Sequence, residues 1–148
     1  MDSGRVWIPD CSLRRGRWKG LAVKPLILII DDDSVFRSDL ILVLENDYRC
    51  REAESLATAI SEVEHEEPDV IILDFNLGAN EDGFHVLEIL KTMDPNIPVI
   101  MMTSQPSISM VVEAVRRGVF SFLSKTSDLR ELRATLIKAI EWREIQKS

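Results

Sequence analysis

The sequence predicts an α/β fold: an open, doubly wound parallel sheet with helices on both faces. Two observations carry this. From Pro25 onward, short apolar runs alternate with segments of helical period, the pattern of consecutive β-α units. Polar residues suited to chemistry stand at the carboxyl ends of those runs: Asp31, Asp32 and Asp33 after Leu26–Ile30, Asp74 after residues 70–73, Thr103 and Ser104 after 99–102, and Lys125 just beyond 120–123. In a parallel sheet those ends share one crevice, so residues far apart in sequence converge there.

Taken in order, Leu26–Ile30 is the first strand, and Val35, Phe36, Leu40, Val43 and Leu44 form the apolar stripe of a helix over 34–46. Residues 48–53 make a weak, charged strand that belongs at a sheet edge, with Cys50 buried in it. Ser55 caps a second helix carrying Leu56, Ala59, Ile60 and Val63. Pro68 ends that segment, and 70–73 is a fully apolar strand for the sheet centre. Phe84, Leu87, Ile89 and Leu90 mark the third helix, stopped before Pro95. Residues 97–102, including Met101 and Met102 as core, are the fourth strand; the helix over 107–117 ends at Gly118. Residues 120–123 are the last strand, and Ser127 caps a final helix with Leu129, Leu132, Leu136 and Ile140 on one stripe.

At 148 residues the chain holds one domain with a proper core. Residues 1–24 lack a sustained hydrophobic period and contain Gly4, Pro9, Gly16 and Gly20, so they read as a flexible basic arm before a domain over 25–148. Arg5, Arg14, Arg15, Arg17, Lys19 and Lys24 against Asp2 and Asp10 give the arm a net charge of +4, which leaves −11 of the overall −7 on the domain. An acidic body of that kind argues against direct nucleic-acid binding. The longest apolar run has five residues, so no membrane span is expected. Cys11 and Cys50 lack metal-like spacing, which fits a reducing, cytoplasmic setting. Charges interrupt the N-terminus throughout, unlike a secretory signal.

The chemistry of the crevice follows from its residue types. Asp31, Asp32 and Asp74 gathered together repel one another unless a cation is present, and Mg²⁺ suits a shallow site of a few carboxylates plus phosphate oxygens. Asp33 or Ser34 serves as a helix cap. An ammonium such as Lys125 can hold a carboxylate before reaction and a phosphoryl oxygen afterwards, and Thr103 can donate a hydrogen bond to the same group. His65 and His85 fall away from the strand ends and are not expected to carry phosphate.

Over residues 26–145 the chain resembles the receiver domains of two-component response regulators. The resemblance rests on I-L-I-I-D-D-D-S-V-F-R at 27–37, D-V-I-I-L-D-F-N-L at 69–77, D-G-F-H-V-L at 82–87, P-V-I-M-M-T-S at 98–104, F-L-S-K at 122–125 and S-D-L-R-E-L at 127–132. It implies a flavodoxin-like strand order of 2-1-3-4-5 in three layers. It also implies that Asp74 accepts a phosphoryl group, and that Mg²⁺ is bound by Asp32, Asp74 and the backbone carbonyl of Asn76, with Asp31 acting through water. Lys125 and Thr103 would contact the phosphoryl group, and Thr103 and Phe122 would form the switch. Implied partners are a histidine kinase or histidine phosphotransfer protein as donor, and a downstream protein on the surface of the fourth helix, fifth strand and fifth helix, with a homodimer as a further possibility. Any enzymatic activity would be confined to self-catalysed phosphotransfer and dephosphorylation.

Two departures from the family pattern stand out. Thr126 follows Lys125 where a cis proline is usual, so a trans bond is expected there. Gly78 replaces the usual proline after the acceptor, and Gly83 comes one residue late, which predicts a longer and more mobile loop. Two rival readings stand beside this one. One is a receiver-like binding module that phosphorylation does not switch. The other is a haloacid-dehalogenase-like phosphatase using Asp31 and Asp33, against which stands the absence of a further acidic pair after Lys125, where only Asp128 lies nearby.

Overall fold

In a computed structural model of the protein, residues 6–10, 15–19, 24–78 and 82–147 are described. Five parallel strands form the sheet: β1 (Leu26–Ile30), β2 (Arg49–Ala53), β3 (Val70–Asp74), β4 (Val99–Thr103) and β5 (Ser121–Ser124). They lie in the order β2-β1-β3-β4-β5, as the resemblance implied. Between and after them run α1 (Ser34–Leu44), α2 (Leu56–His65), α3 (Gly83–Met93), α4 (Ile108–Arg116) and α5 (Leu129–Lys147). Among the described residues no helix is long and apolar enough to cross a membrane.

Pleating sorts the apolar strand residues onto two faces. Ile27, Ile29, Val70, Ile72, Ile100, Met102 and Leu123 pack with Leu40 and Leu44 of α1 and Leu132, Leu136, Ala139 and Ile140 of α5. Leu28, Ile30, Ile71, Leu73, Val99 and Met101 pack instead with Ala59 of α2, Val86, Leu87 and Leu90 of α3, and Ala114 of α4. β1, β3 and β4 are buried throughout, which is why they read as unbroken apolar runs.

The edge strand β2 is charged, and its charges are paired. Arg49 meets Glu66 and Arg51 meets Glu62, while Arg37 of α1 reaches Glu52 at 2.8 Å. Cys50 is half-buried rather than enclosed, because the edge strand is covered on one side only; desolvation and the nearby Glu45 and Glu52 charges push its thiol up to about 11.

Helix ends follow local chemistry. Ser55 and Thr58 form a capping box on α2, Ser107 caps α4, and Gly118 after α4 adopts φ +88°. At α5 the cap differs from the expected Ser127. Asp128 Oδ1 accepts the Arg130 N–H at 2.8 Å, while the Ser127 N–H is used by the Ser124 carbonyl in the preceding turn.

At the pole opposite the carboxyl edge, Arg143 of α5 is 2% exposed and pairs with Asp94 at 2.7 Å and with Glu67. Asp69 there accepts the Leu26 N–H at 2.8 Å. These contacts tie the last helix to the amino ends of the strands and give the buried Arg143 charge the partners that its burial demands.

A separate antiparallel ribbon pairs Val6–Asp10 with Arg15–Lys19, within the segment where the hydrophobic pattern predicts no element. Residues 79–81, in the loop for which added mobility was expected, lie outside the described residues, as do 1–5, 11–14, 20–23 and 148.

Gly83 is where backbone meets backbone. A Cβ there would come within 2.7 Å of the Phe75 carbonyl oxygen and 2.8 Å of the Phe75 Cα, directly after Asp74. Gly83→Ala is therefore expected to lower stability by about 1–3 kcal/mol, read as a reduced urea midpoint with an unchanged slope.

Candidate functional site

The carboxyl edge collects the residues singled out from the sequence. Asp31 and Lys125 each lie one residue beyond a strand that pairs next to, or near, β3, and Asp74 is the last residue of β3. All three share the pleat of the face covered by α1 and α5, in register with Ile29, Ile72 and Leu123. Thr103 and Phe122 share the pleat of the opposite face, where Phe122 packs beside the core and Thr103 is buried.

Three carboxylates meet here. One oxygen each from Asp31, Asp32 and Asp74 lies within 4.8 Å of the others, with Asp31 and Asp74 buried and Asp32 exposed to solvent. Lys125 Nζ stands 2.7 Å from Asp31 Oδ2 and 3.5 Å from Asp74 Oδ1. The Asp33 N–H donates to Asp31 Oδ1 at 2.9 Å, so both Asp31 oxygens are engaged. The Asn76 N–H donates to Asp74 Oδ1 at 3.3 Å, which turns the chain after β3 back over the edge. Gly78, with φ +85°, continues that turn; a Cβ there would meet Asp32 Oδ2 at 3.8 Å.

Crowding shows in the titration of Asp74. Burial and the neighbouring Asp31 charge push its carboxyl up to about 6, and Lys125 only partly offsets them. Burial works against the Lys125 charge, but the Asp31 hydrogen bond and the Asp74 charge outweigh it and hold the ammonium above its ordinary value. The donors are all hard oxygens around an open approach at Asp32, which fits a small divalent cation such as Mg²⁺ better than a soft metal.

The loop that carries Lys125 is held without proline. Its N–H donates to the Thr103 carbonyl at 2.8 Å, and the Lys125–Thr126 bond is trans, as expected. The Ser124 hydroxyl lies 2.8 Å from the Thr126 hydroxyl and accepts the Thr126 N–H at 3.2 Å, closing the turn.

Asp33 takes no part in the carboxylate cluster. Its side chain accepts the Val35 and Phe36 N–H groups as the cap of α1. The phosphatase reading needed Asp33 as a second acid beside Asp31, and that role is filled by capping instead. His65 and His85 are both exposed on helices.

Two contributors went unnoticed in the sequence. Arg37 donates to the Asp31 carbonyl while pairing with Glu52, and the Phe36 ring lies 4.4 Å from Lys125 Nζ. Both read as ordinary positions of α1, one polar and one apolar. Their place in the first turn, directly after the aspartate run, was the available signal.

The family model of the response regulator receiver domain matches residues 27–137. The chain belongs to this family. This receiver domain is similar to the nitrogen assimilation regulatory protein NtrX of Azorhizobium caulinodans, at 32% identity over 117 residues, covering 78% of this chain and 26% of the relative. It is also similar to the transcriptional regulatory protein ZraR of Escherichia coli, at 34% identity over 115 residues, covering 77% and 26%. The solved receiver domain of NtrX from Brucella abortus aligns with a TM-score of 0.73 at 28% identity, covering 78% of this chain and 98% of that one. The chain thus spans about a quarter of the length of these curated relatives.

The raised Asp74 value has a consequence for stability. The free carboxyl titrates near 3.8 and the folded one near 6, so above about 6 the folded chain carries a buried charge that disfavours it relative to the unfolded chain. In metal-free buffer near neutral pH, Asp74→Asn should therefore stabilise the domain by about 1–3 kcal/mol in urea unfolding. That gain should shrink as pH falls through 6 and be gone below 3.8.

Proposed function

We propose that this receiver domain accepts a phosphoryl group on Asp74 from a phosphohistidine of a histidine kinase or histidine phosphotransfer protein. The observation that carries the reading is the meeting of Asp31, Asp32 and Asp74 within 4.8 Å, with Lys125 bridging Asp31 and Asp74. An Asp74 carboxylate oxygen attacks phosphorus in line. The phosphorus–nitrogen bond to the donor imidazole breaks, its electron pair stays on that nitrogen, and the imidazole is released neutral once its charge is balanced by a proton from solvent. Reaction of this type depends on positioning and charge neutralisation more than on covalent help from other groups.

Asp32, Asp74 and the Asn76 carbonyl are the proposed ligands of Mg²⁺, with Asp31 acting through water. The engagement of both Asp31 oxygens by Asp33 and Lys125 supports that indirect role. When bound, Mg²⁺ supplies positive charge to the carboxylate cluster and to the phosphoryl oxygens. Lys125 supplies the second cation, and the buried Thr103 at the end of β4 is the proposed hydrogen-bond donor to the phosphoryl group.

Switching would pass through Thr103 and Phe122 to the surface of α4, β5 and α5. Thr103 and Phe122 sit on adjacent strands and share one pleat, and Phe122 is only partly buried, which leaves its ring room to turn. α4 presents Ile108, Val112 and Val115 to solvent, an apolar stripe suited to a downstream protein. The acidic domain argues for protein rather than nucleic acid at that surface.

Acetyl phosphate with Mg²⁺ should add one phosphoryl group to the wild type, measured by intact mass, and chelation of the metal should prevent it. Asp74→Asn should remain unmodified; equal labelling of that variant would overturn the assignment. Asp32→Asn should weaken Mg²⁺ affinity at least about tenfold, followed by calorimetry.

A further inference from the structure

Lys125 is held by more than its carboxylates. Its side chain is 14% exposed, its ammonium lies 2.7 Å from Asp31 Oδ2 and 3.5 Å from Asp74 Oδ1, and the Phe36 ring centroid is 4.4 Å from Nζ. An ammonium has three N–H donors and no acceptor. Here the two carboxylates take one side and an aromatic face covers another, where water would otherwise solvate the charge.

The position of that ring is itself well fixed. Phe36 lies in the first turn of α1, half-buried and packed against the core shared by α1, α5 and the sheet. Asp33 caps the turn and accepts the Phe36 N–H at 3.2 Å. The next residue, Arg37, pins the helix start to the Asp31 carbonyl and to Glu52. The ring is therefore anchored from both sides in sequence.

We infer that Phe36 is a positioning residue for Lys125, an aromatic platform along which the ammonium passes from Asp31 toward a phosphoryl group on Asp74. The inference rests on Asp74 being the phosphoacceptor. A ring face attracts a cation without demanding one directed hydrogen bond, so the ammonium can move laterally while staying shielded. A carboxylate or amide in the same place would claim a donor and compete with phosphoryl oxygens. An aliphatic side chain would exclude water but exert no pull on the charge. In this chain the platform matters more because the turn after Lys125 is closed by Ser124 and Thr126 hydroxyls rather than by a proline ring.

The test compares Phe36→Met, which keeps approximate volume and apolarity, with Phe36→Tyr, which keeps the ring. In the metal-free protein, the Lys125 ε-methylene proton resonances should lie upfield of those of the other lysines through the ring current. That displacement should persist in Phe36→Tyr and vanish in Phe36→Met. With acetyl phosphate and Mg²⁺, Phe36→Met should gain the phosphoryl group about fivefold more slowly, the scale of one partly desolvated cation–π contact, and Phe36→Tyr should stay within about twofold of wild type.

Absence of the upfield displacement in the wild type overturns the inference, whatever the labelling rates. If the displacement is present and the wild type labels, equal labelling of Phe36→Met overturns it alone and leaves Asp74 as acceptor. If the displacement is present and the wild type gains no phosphoryl group, the acceptor assignment fails and takes the positioning role with it.

Discussion

Two buried carboxylates and one half-buried ammonium at the end of a sheet set the terms for this molecule. Asp31 and Asp74 are each nearly sealed from solvent, yet both project from the same pleat toward the same lysine. Burial, together with the Asp31 charge that one cation does not fully balance, holds Asp74 up at about 6. The site is therefore short of positive charge by construction. A divalent cation would answer that deficit, and the exposed Asp32 leaves the cluster open to solvent on one side.

The rest of the fold keeps those charges in place. Parallel pairing of β1 with β3 brings Asp31 beside Asp74, and the β4–β5 pairing carries Lys125 to Thr103 through a 2.8 Å backbone hydrogen bond. Gly83 allows α3 to start against the Phe75 backbone, so the segment after Asp74 is held without a proline. At the far pole, Arg143 with Asp94 and Glu67 secures α5 to the amino ends of the strands. One end of the sheet thus gathers charges around an open crevice, and the other uses them to fasten the last helix.

Much of this was legible in the sequence, for a specific reason. Strands buried on both faces must be apolar without a break, so the first polar residue after each run announces the carboxyl edge. Asp31, Asp74, Thr103 and Lys125 were found that way. What escaped was contact between side chains whose residue types have common uses elsewhere. Phe36 looks like any core position of an amphipathic helix, and Arg143 like a solvated residue near a helix end, until packing shows one against Lys125 and the other buried. Ser127 and Asp128 are both good caps, and pattern alone does not choose between them. The ribbon of Val6–Asp10 with Arg15–Lys19 is a local backbone pairing that leaves no hydrophobic period to read.

The charged outer strand β2 has a consequence beyond the site. Its Arg49, Arg51 and Glu52 are matched by Glu66, Glu62 and Arg37 from neighbouring segments, so a second molecule that tried to extend the sheet would meet a charged margin rather than an apolar one. A domain whose interior is otherwise a stack of sticky aliphatic ribbons carries on that margin a guard against fibrous self-association.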